Sequence, residues 1–214
     1  MKWKKVKNKI LFNKYNCIEK IGEGSFGMKF KGEYNNEYFT LKFENKKKRQ
    51  NLLENEGAIM SYLKGPNISY IKLYGYSGEY NIWIMQLLGK SLENIFEELK
   101  IFSIKTVWII VIQILNVLEY IHNKHIIYRD INDNFIIGLN DLSEFVYLID
   151  FYLAKKNRTN STLIQYPMIN KKKLTDTIRY ASINALKGYE QSRRDDLELL
   201  GYVLIYYLKG YLPW

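Results

Sequence analysis

Residues 21–44, IGEGSFGMKFKGEYNNEYFTLKFE, decide the fold. The stretch opens on a GxGxxG carried by Gly22, Gly24 and Gly27, a pattern shared by several nucleotide-binding architectures. The residues after the glycines separate them. In a dinucleotide-binding fold the loop opens a helix, and an acidic residue about 20 positions later holds the ribose. Glu44 stands at a suitable distance, but residues 28–31 alternate apolar and polar, Asn35 and Asn36 supply turn chemistry, and residues 38–44 alternate again. That is a hairpin, with no room for a crossover helix. A Walker A loop needs Lys and then Ser or Thr after its last glycine, and Met28, Lys29 and Phe30 stand there instead. A glycine loop folded over phosphates by a hairpin remains, set against an ordinary turn.

The strand period puts Phe39, Leu41 and Phe43 on one face and Thr40, Lys42 and Glu44 on the other, so Lys42 shares a face with the glycine hairpin. Residues 51–63 (NLLENEGAIMSYL) repeat as a helix, with apolar positions at 52, 53, 59, 60 and 63 and Glu56 on the same stripe; Gly65 and Pro66 end it. A carboxylate on an apolar stripe needs a cation. Lys42 is the candidate, and such a pair would aim its ammonium at nucleotide phosphates. Gly57, in the middle of the helix, costs about 1 kcal/mol relative to alanine.

From Ser91 onward the pattern is helical. Ser103 is placed to cap a helix over 104–122 that is apolar on nearly all sides between 107 and 115, which predicts a core position. That run, VWIIVIQIL, is too short to span a bilayer. Short strands are expected at 126–127, 135–137 and 145–149, and a last helix over 195–208. The expected organisation is a sheet-rich lobe over 1–85, a connector at 86–89 and a helix-rich lobe over 90–214. Asp130 follows the first short strand, with Asn134 four residues on, and Asp150 ends the run FVYLI. Two acids are thus expected to emerge from adjacent strand ends, one to orient and deprotonate a hydroxyl nucleophile and one to hold Mg²⁺. A paired-carboxylate hydrolase is the rival use of the same residues. It gives no role to the glycine hairpin or to Lys42.

Composition bounds these readings. With 214 residues, 47% hydrophobic and 15% aromatic, the chain is expected to fold rather than to be intrinsically disordered. A single cysteine, Cys17, excludes an internal disulfide and multi-cysteine zinc sites. Lys and Arg number 32 against 22 Asp and Glu, a net charge of +10, with clusters within 2–9, 46–49 and 171–173. Nucleic acid, a membrane surface or an acidic protein would each suit that charge. No apolar core follows the first lysines, so no signal peptide is expected and the location predicted is cytoplasmic, nuclear or both.

Together these segments resemble the eukaryotic protein kinases, and the last third resembles the casein kinase I family: LTDTIRYASIN at 174–184, EQSRRDDLELLGYVLIYYLKGYLPW from 190, and MQLLGKSLENIF at 85–96. Ser182-Ile183-Asn184 stands where most kinases carry APE. The resemblance implies a bilobal α+β kinase fold, with a small antiparallel-sheet lobe and a helical lobe, and an ATP- and Mg²⁺-dependent serine/threonine kinase. By position, Ile21, Gly22, Glu23, Gly24, Ser25, Phe26, Gly27, Met28 and Lys29 would cover the nucleotide. Lys42 would contact its phosphates while paired with Glu56, and Met85, Gln86 and Leu88 would lie along the adenine in the hinge. Asp130 would be the catalytic base, Asn134 and Asp150 the magnesium ligands, and Asp196 the anchor of the catalytic loop. Arg179 would bind acidic or phosphorylated protein substrates, and the lysines at 171–173 would lie beside that groove. The implied protein acts as a monomer, without membrane or nucleic acid.

The departures from the family pattern motivate an alternative, a catalytically impaired pseudokinase serving as a binding or scaffold module. Tyr128 replaces the histidine of the HRD triplet. INDNF at 131–135 is one residue shorter than the family's IKPDNF and lacks its lysine. Tyr152 replaces the glycine after Asp150-Phe151, Lys29 stands where a β-branched residue covers the adenine, and the helical lobe stops short of the family's further helices.

Overall fold

The computed structural model describes residues 9–24, 27–45, 52–131, 134–157 and 178–214, with the side chains of 24, 52–55 and 178 outside that description. Ser25, Phe26 and the lysine clusters at 46–49 and 171–173 therefore lie outside the described residues, as do the lysines before Lys9. The chain divides into two compact units, Met1–Ser61 with Ser69–Leu88, and Tyr62–Ile68 with Gly89–Trp214.

The first unit carries one antiparallel sheet. Its strands are β1 (Ile10–Leu11), β2 (Tyr15–Gly24), β3 (Gly27–Tyr34), β4 (Glu37–Asn45), β5 (Ile71–Ser77) and β6 (Tyr80–Gln86), in the order β1-β2-β3-β4-β6-β5. β3 and β4 form the hairpin expected from the alternation. Asn35 and Asn36 turn it at φ 53° and 61°, the left-handed pair that matches the twist of two antiparallel strands. Phe39, Leu41 and Phe43 pack with Phe30, Cys17, Ile82 and Ile84 into the unit's core. Each such side chain stabilises by roughly 1.5–3 kcal/mol on burial. The helix α1 (Leu52–Tyr62) buries Ile59 and Met60, and on the other face of β4 Lys42 and Glu44 are buried too.

The second unit contains α2 (Leu92–Leu99), α3 (Ile104–Asn123), β7 (Ile126–Ile127), β8 (Phe135–Ile137), β9 (Val146–Leu148), β10 (Lys155–Lys156), α4 (Ile183–Leu186) and α5 (Arg193–Lys209). Ser91 and Ser103 cap α2 and α3, each hydroxyl accepting from the backbone N–H three residues on at 3.1 Å. Phe96, Phe102 and Tyr207 meet ring against ring between α2 and α5, with centroids 5.0–5.5 Å apart.

Two expectations need correction. α3 is not wrapped by core on all sides: Val107, Ile110, Val111, Ile114, Val117, Leu118 and Ile121 are buried, while Ile104, Trp108, Ile109, Ile112 and Leu115 form an exposed apolar face. Periodicity cannot tell a helix apolar all round from one covered all round. At 20 residues α3 is also long and apolar enough to cross a membrane by length and composition, because the short apolar run sits inside a longer apolar helix. Its packed face ends in the buried His122, which is bound to Asp196 of α5. The strands before Asp130 and Asp150 are likewise not neighbours: β7 pairs with β10, and β8 with β9. Side chains join the two acidic segments instead.

Candidate active site

In the first unit, β2 and β3 run as a tight hairpin to the glycines, with Gly22 opposite Lys29, Glu23 opposite Met28 and Gly24 opposite Gly27. Gly27 has φ +139°, and a Cβ there would stand 2.0 Å from the carbonyl oxygen of Phe43. Glycine is therefore required at this crossing of β3 and β4. Ile21 and Glu23 are exposed, and Glu23 pairs with Lys20. Lys29 lies directly opposite Lys42 on the neighbouring strand, so both side chains rise from one face.

Lys42 is 4% exposed and Glu56 0%. Nζ donates to both carboxylate oxygens, at 3.0 and 3.2 Å. The carboxylate on the stripe of α1 thus has its cation in the buried ammonium of β4, and removing either strands a buried charge at a cost of about 3–5 kcal/mol. Met85 is buried at the end of β6, opposite Thr40, and the Gln86 N–H donates to Tyr70 O at 3.2 Å. Leu88, partly exposed, closes the first unit.

In the second unit the chain leaves β7 through Tyr128, Arg129 and Asp130. Asp196, fully buried on α5, accepts from the N–H groups of Tyr128 and Arg129 at 2.9 and 2.8 Å, and its Oδ2 lies 2.7 Å from His122 Nε2 at the end of α3. That carboxylate holds Arg129 at φ 68°, a conformation unfavourable for a non-glycine residue, and so sets the direction of Asp130. Arg129 Nε donates to Leu153 O at 2.7 Å. The Tyr128 hydroxyl reaches the carbonyls of Ile149 at 2.5 Å and Asp150 at 3.2 Å. These contacts bind the Asp130 segment to the Asp150 segment in place of a shared sheet.

Asn134 Nδ2 donates to Asp130 Oδ2 at 2.9 Å and to its backbone oxygen at 3.1 Å. Asn134 O accepts from Ile149 N–H at 3.0 Å, which sets Asn134 beside the residue before Asp150. Asp150 is 8% exposed at φ 62°. Tyr152 is absent from the left-handed region, so the conformation here does not call on a glycine at that position.

Arg179 is exposed, its guanidinium 5.7 Å from the Tyr206 ring and its carbonyl bound by Trp214 Nε1 at 3.0 Å. The neighbouring Tyr180 hydroxyl is pushed up to about 12 by burial. Ser182 Oγ and Asn184 Nδ2 both donate to Asp195 Oδ1, at 2.8 and 3.0 Å, while Asp195 Oδ2 accepts from Ser192. The Ser-Ile-Asn triplet is thus a polar clasp on the first turn of α5. Two functional groups escaped the sequence reading, His122 and Leu153 O. The first had a signal, a polar residue on the buried stripe of α3; the second had none.

A family model described as the protein kinase domain matches residues 15–214. Casein kinase I homolog 3 of Schizosaccharomyces pombe is 44% identical over 207 residues, which is 94% of this chain and 47% of that relative. The chain spans about half the length of the curated relative it matches.

Proposed function

Because the chain belongs to the casein kinase I family of protein kinases, we propose that it transfers the γ-phosphoryl group of ATP, with Mg²⁺, to serine or threonine hydroxyls of acidic or already phosphorylated proteins. The observation that carries this reading is the Asn134–Asp130 hydrogen bond at 2.9 Å. It persists although the loop between them is one residue shorter than the family pattern, and it sets a carboxylate and an amide at one point, as hydroxyl activation beside a metal requires.

Asp130 is the base that orients the acceptor hydroxyl and takes its proton. Asp150 and Asn134 would hold magnesium. The donors suit that ion, which takes one or two carboxylates and fills its shell with phosphate oxygens and water, and Asn134, with its nitrogen turned to Asp130, offers its amide oxygen. Bound there, magnesium would neutralise charge on the transferring phosphoryl group. In the first unit Lys42, fixed by Glu56, meets the phosphates. Residues 21–29 cover the nucleotide, and Met85, Gln86 and Leu88 border the adenine. Arg179, exposed with its guanidinium 5.7 Å from the Tyr206 ring, meets acidic or phosphorylated side chains of the substrate.

The test is labelled Mg-ATP with an acidic protein acceptor, wild type beside Asp130→Asn. Transfer to serine or threonine that disappears in the variant is expected. A folded wild type that transfers nothing, and whose melting temperature Mg-ATP does not raise, would overturn the proposal.

A further inference from the structure

Gly57 is an odd residue for the middle of α1, where alanine would favour the helix. The structure gives it a neighbour. A Cβ added at Gly57 would lie 3.2 and 3.3 Å from Cζ2 and Cη2 of Trp83 on β6, tighter than carbon atoms in van der Waals contact at about 3.5–4.0 Å. Trp83 is 2% exposed, and its ring meets Tyr74 edge to face at 5.8 Å. Its indole N–H has no hydrogen-bond partner among the described residues.

Trp83 also stands directly opposite Lys42 in the pairing of β4 with β6, and the ammonium lies 5.8 Å from the ring centroid. One indole therefore touches both ends of the ion-pair geometry: the β4 lysine on the neighbouring strand, and the helix residue immediately after Glu56. We propose that Gly57 and Trp83 are a matched pair of positioning residues. The missing side chain at 57 makes room for the bulky one at 83, and the fit sets how closely α1 brings Glu56 to Lys42, hence where the ammonium stands for the nucleotide phosphates. The consequence for the phosphates rests on the kinase reading; the packing does not.

Helix propensity and packing predict opposite outcomes for Gly57→Ala. Propensity alone makes the variant more stable, with unchanged nucleotide binding. The matched pair makes it push on Trp83 and draw Glu56 away, so that Lys42 loses its fixed position and a charge-assisted contact to phosphate with it.

The experiment is a double-mutant cycle on the full chain: wild type, Gly57→Ala, Trp83→Met and the double variant. Melting temperature is measured first, then affinity for Mg²⁺ with a non-hydrolysable ATP analogue by calorimetry, then KM for ATP and kcat. Gly57→Ala is expected to weaken the analogue roughly tenfold, the scale of one charge-assisted hydrogen bond, and to raise KM for ATP more than it lowers kcat. In the Trp83→Met background the same substitution is expected to cost less than twofold, because methionine yields the space. Equal effects in both backgrounds, or a more stable Gly57→Ala with wild-type affinity, would overturn the proposal. If Gly57→Ala does not fold, recovery of the fold by Trp83→Met supports the pair and failure to recover it refutes the pair. A wild type that binds no nucleotide overturns the kinase reading alone, and the melting temperatures then decide the packing.

Discussion

Asp196→Asn removes one charge and one acceptor from a fully buried site while keeping its shape. The carboxylate serves three donors: Oδ2 accepts from Tyr128 N–H and lies beside His122 Nε2, and Oδ1 accepts from Arg129 N–H. An asparagine has one oxygen. Its least costly orientation keeps that oxygen toward Tyr128 and His122 and turns its NH₂ against the Arg129 N–H. One buried backbone donor is then left unmade, costing about 1–3 kcal/mol, and two charge-assisted bonds become neutral ones, each about 1 kcal/mol weaker. The sum is about 3–5 kcal/mol, or roughly 6–20 °C in melting temperature at this chain length. The loss has a direction as well. With its N–H released, Arg129 loses the backbone contact that offsets φ 68°, a conformation costing roughly 1–2 kcal/mol for a residue with a side chain, and only its side-chain bond to Leu153 O still restrains it, so Asp130 is expected to turn with it. Chemical denaturation should report the stability loss. Single-turnover phosphoryl transfer at saturating ATP, under conditions where the variant is fully folded, should show a slower step with nucleotide affinity within about twofold of wild type. A variant within about 0.5 kcal/mol of wild type, the range of an inconsequential surface change, would refute the account of Asp196 as the anchor, and so would an unchanged single-turnover rate.

Tyr128→Phe keeps the ring, which packs at 5.2 Å from Phe151, and deletes the hydroxyl that reaches the carbonyls of Ile149 and Asp150; it should raise the Mg²⁺ concentration needed for half-maximal transfer with a stability loss of only about 1 kcal/mol, as a magnesium titration beside a melt would show. Ser182→Ala leaves Asp195 short of one buried donor and α4 without its cap, since the same oxygen also accepts from Ala185 N–H at 3.1 Å; a loss of about 1–3 kcal/mol in urea denaturation is expected, and a loss under 0.5 kcal/mol would count against the clasp. Cys17 is fully buried and burial pushes its thiol up to about 11 from 9.0. The native state therefore keeps its proton longer than the unfolded chain does, so this group's contribution is intact below pH 9 and is lost as the pH rises from 9 to 11. A thiol reagent at pH 8 should modify it no faster than the protein unfolds.

The hairpin was legible because three independent local signals agreed: alternation on both strands, two asparagines between them, and glycines where β3 must cross close to Phe43. The Lys42–Glu56 pair was legible because a carboxylate on an apolar stripe cannot be left alone. The same logic, applied to His122 on the buried face of α3, would have found its partner. β5 carried no such signal. It is an edge strand whose residues are mostly exposed, so IKLYGYS shows no alternation of buried and exposed positions. β6 fails for the opposite reason: Ile82, Trp83, Ile84 and Met85 are buried in succession, which erases the period of two. The links that join the two acids were illegible in principle. They depend on Arg129 adopting a left-handed conformation and on backbone carbonyls 21 to 24 residues away, and no side-chain pattern encodes an acceptor that every residue possesses.

The departures that motivated a pseudokinase therefore do not weigh equally. A glycine lost at Tyr152 matters only if that residue needs positive φ, and in this conformation Asp150 takes it instead, with φ 62°. Where the family has a histidine, Tyr128 carries a hydroxyl that reaches the carbonyls of Ile149 and Asp150. A residue deleted before Asn134 would shift it by up to about 3.3–3.6 Å if the chain simply shortened. Asn134 is instead held from its far side, by the pairing of β8 with β9 and by the Ile149 N–H, and it still meets Asp130 at 2.9 Å. What geometry cannot restore is charge. The family's loop lysine is gone, and one lost electrostatic contact to the transferring group costs about 10²- to 10³-fold in rate, against total accelerations of about 10⁶-fold or more that typify enzymes. Under the proposed function, the Asp130–Asn134 contact and its supports within the second unit stay in place while one stabilising charge is missing, so kcat is expected to fall without loss of that local geometry.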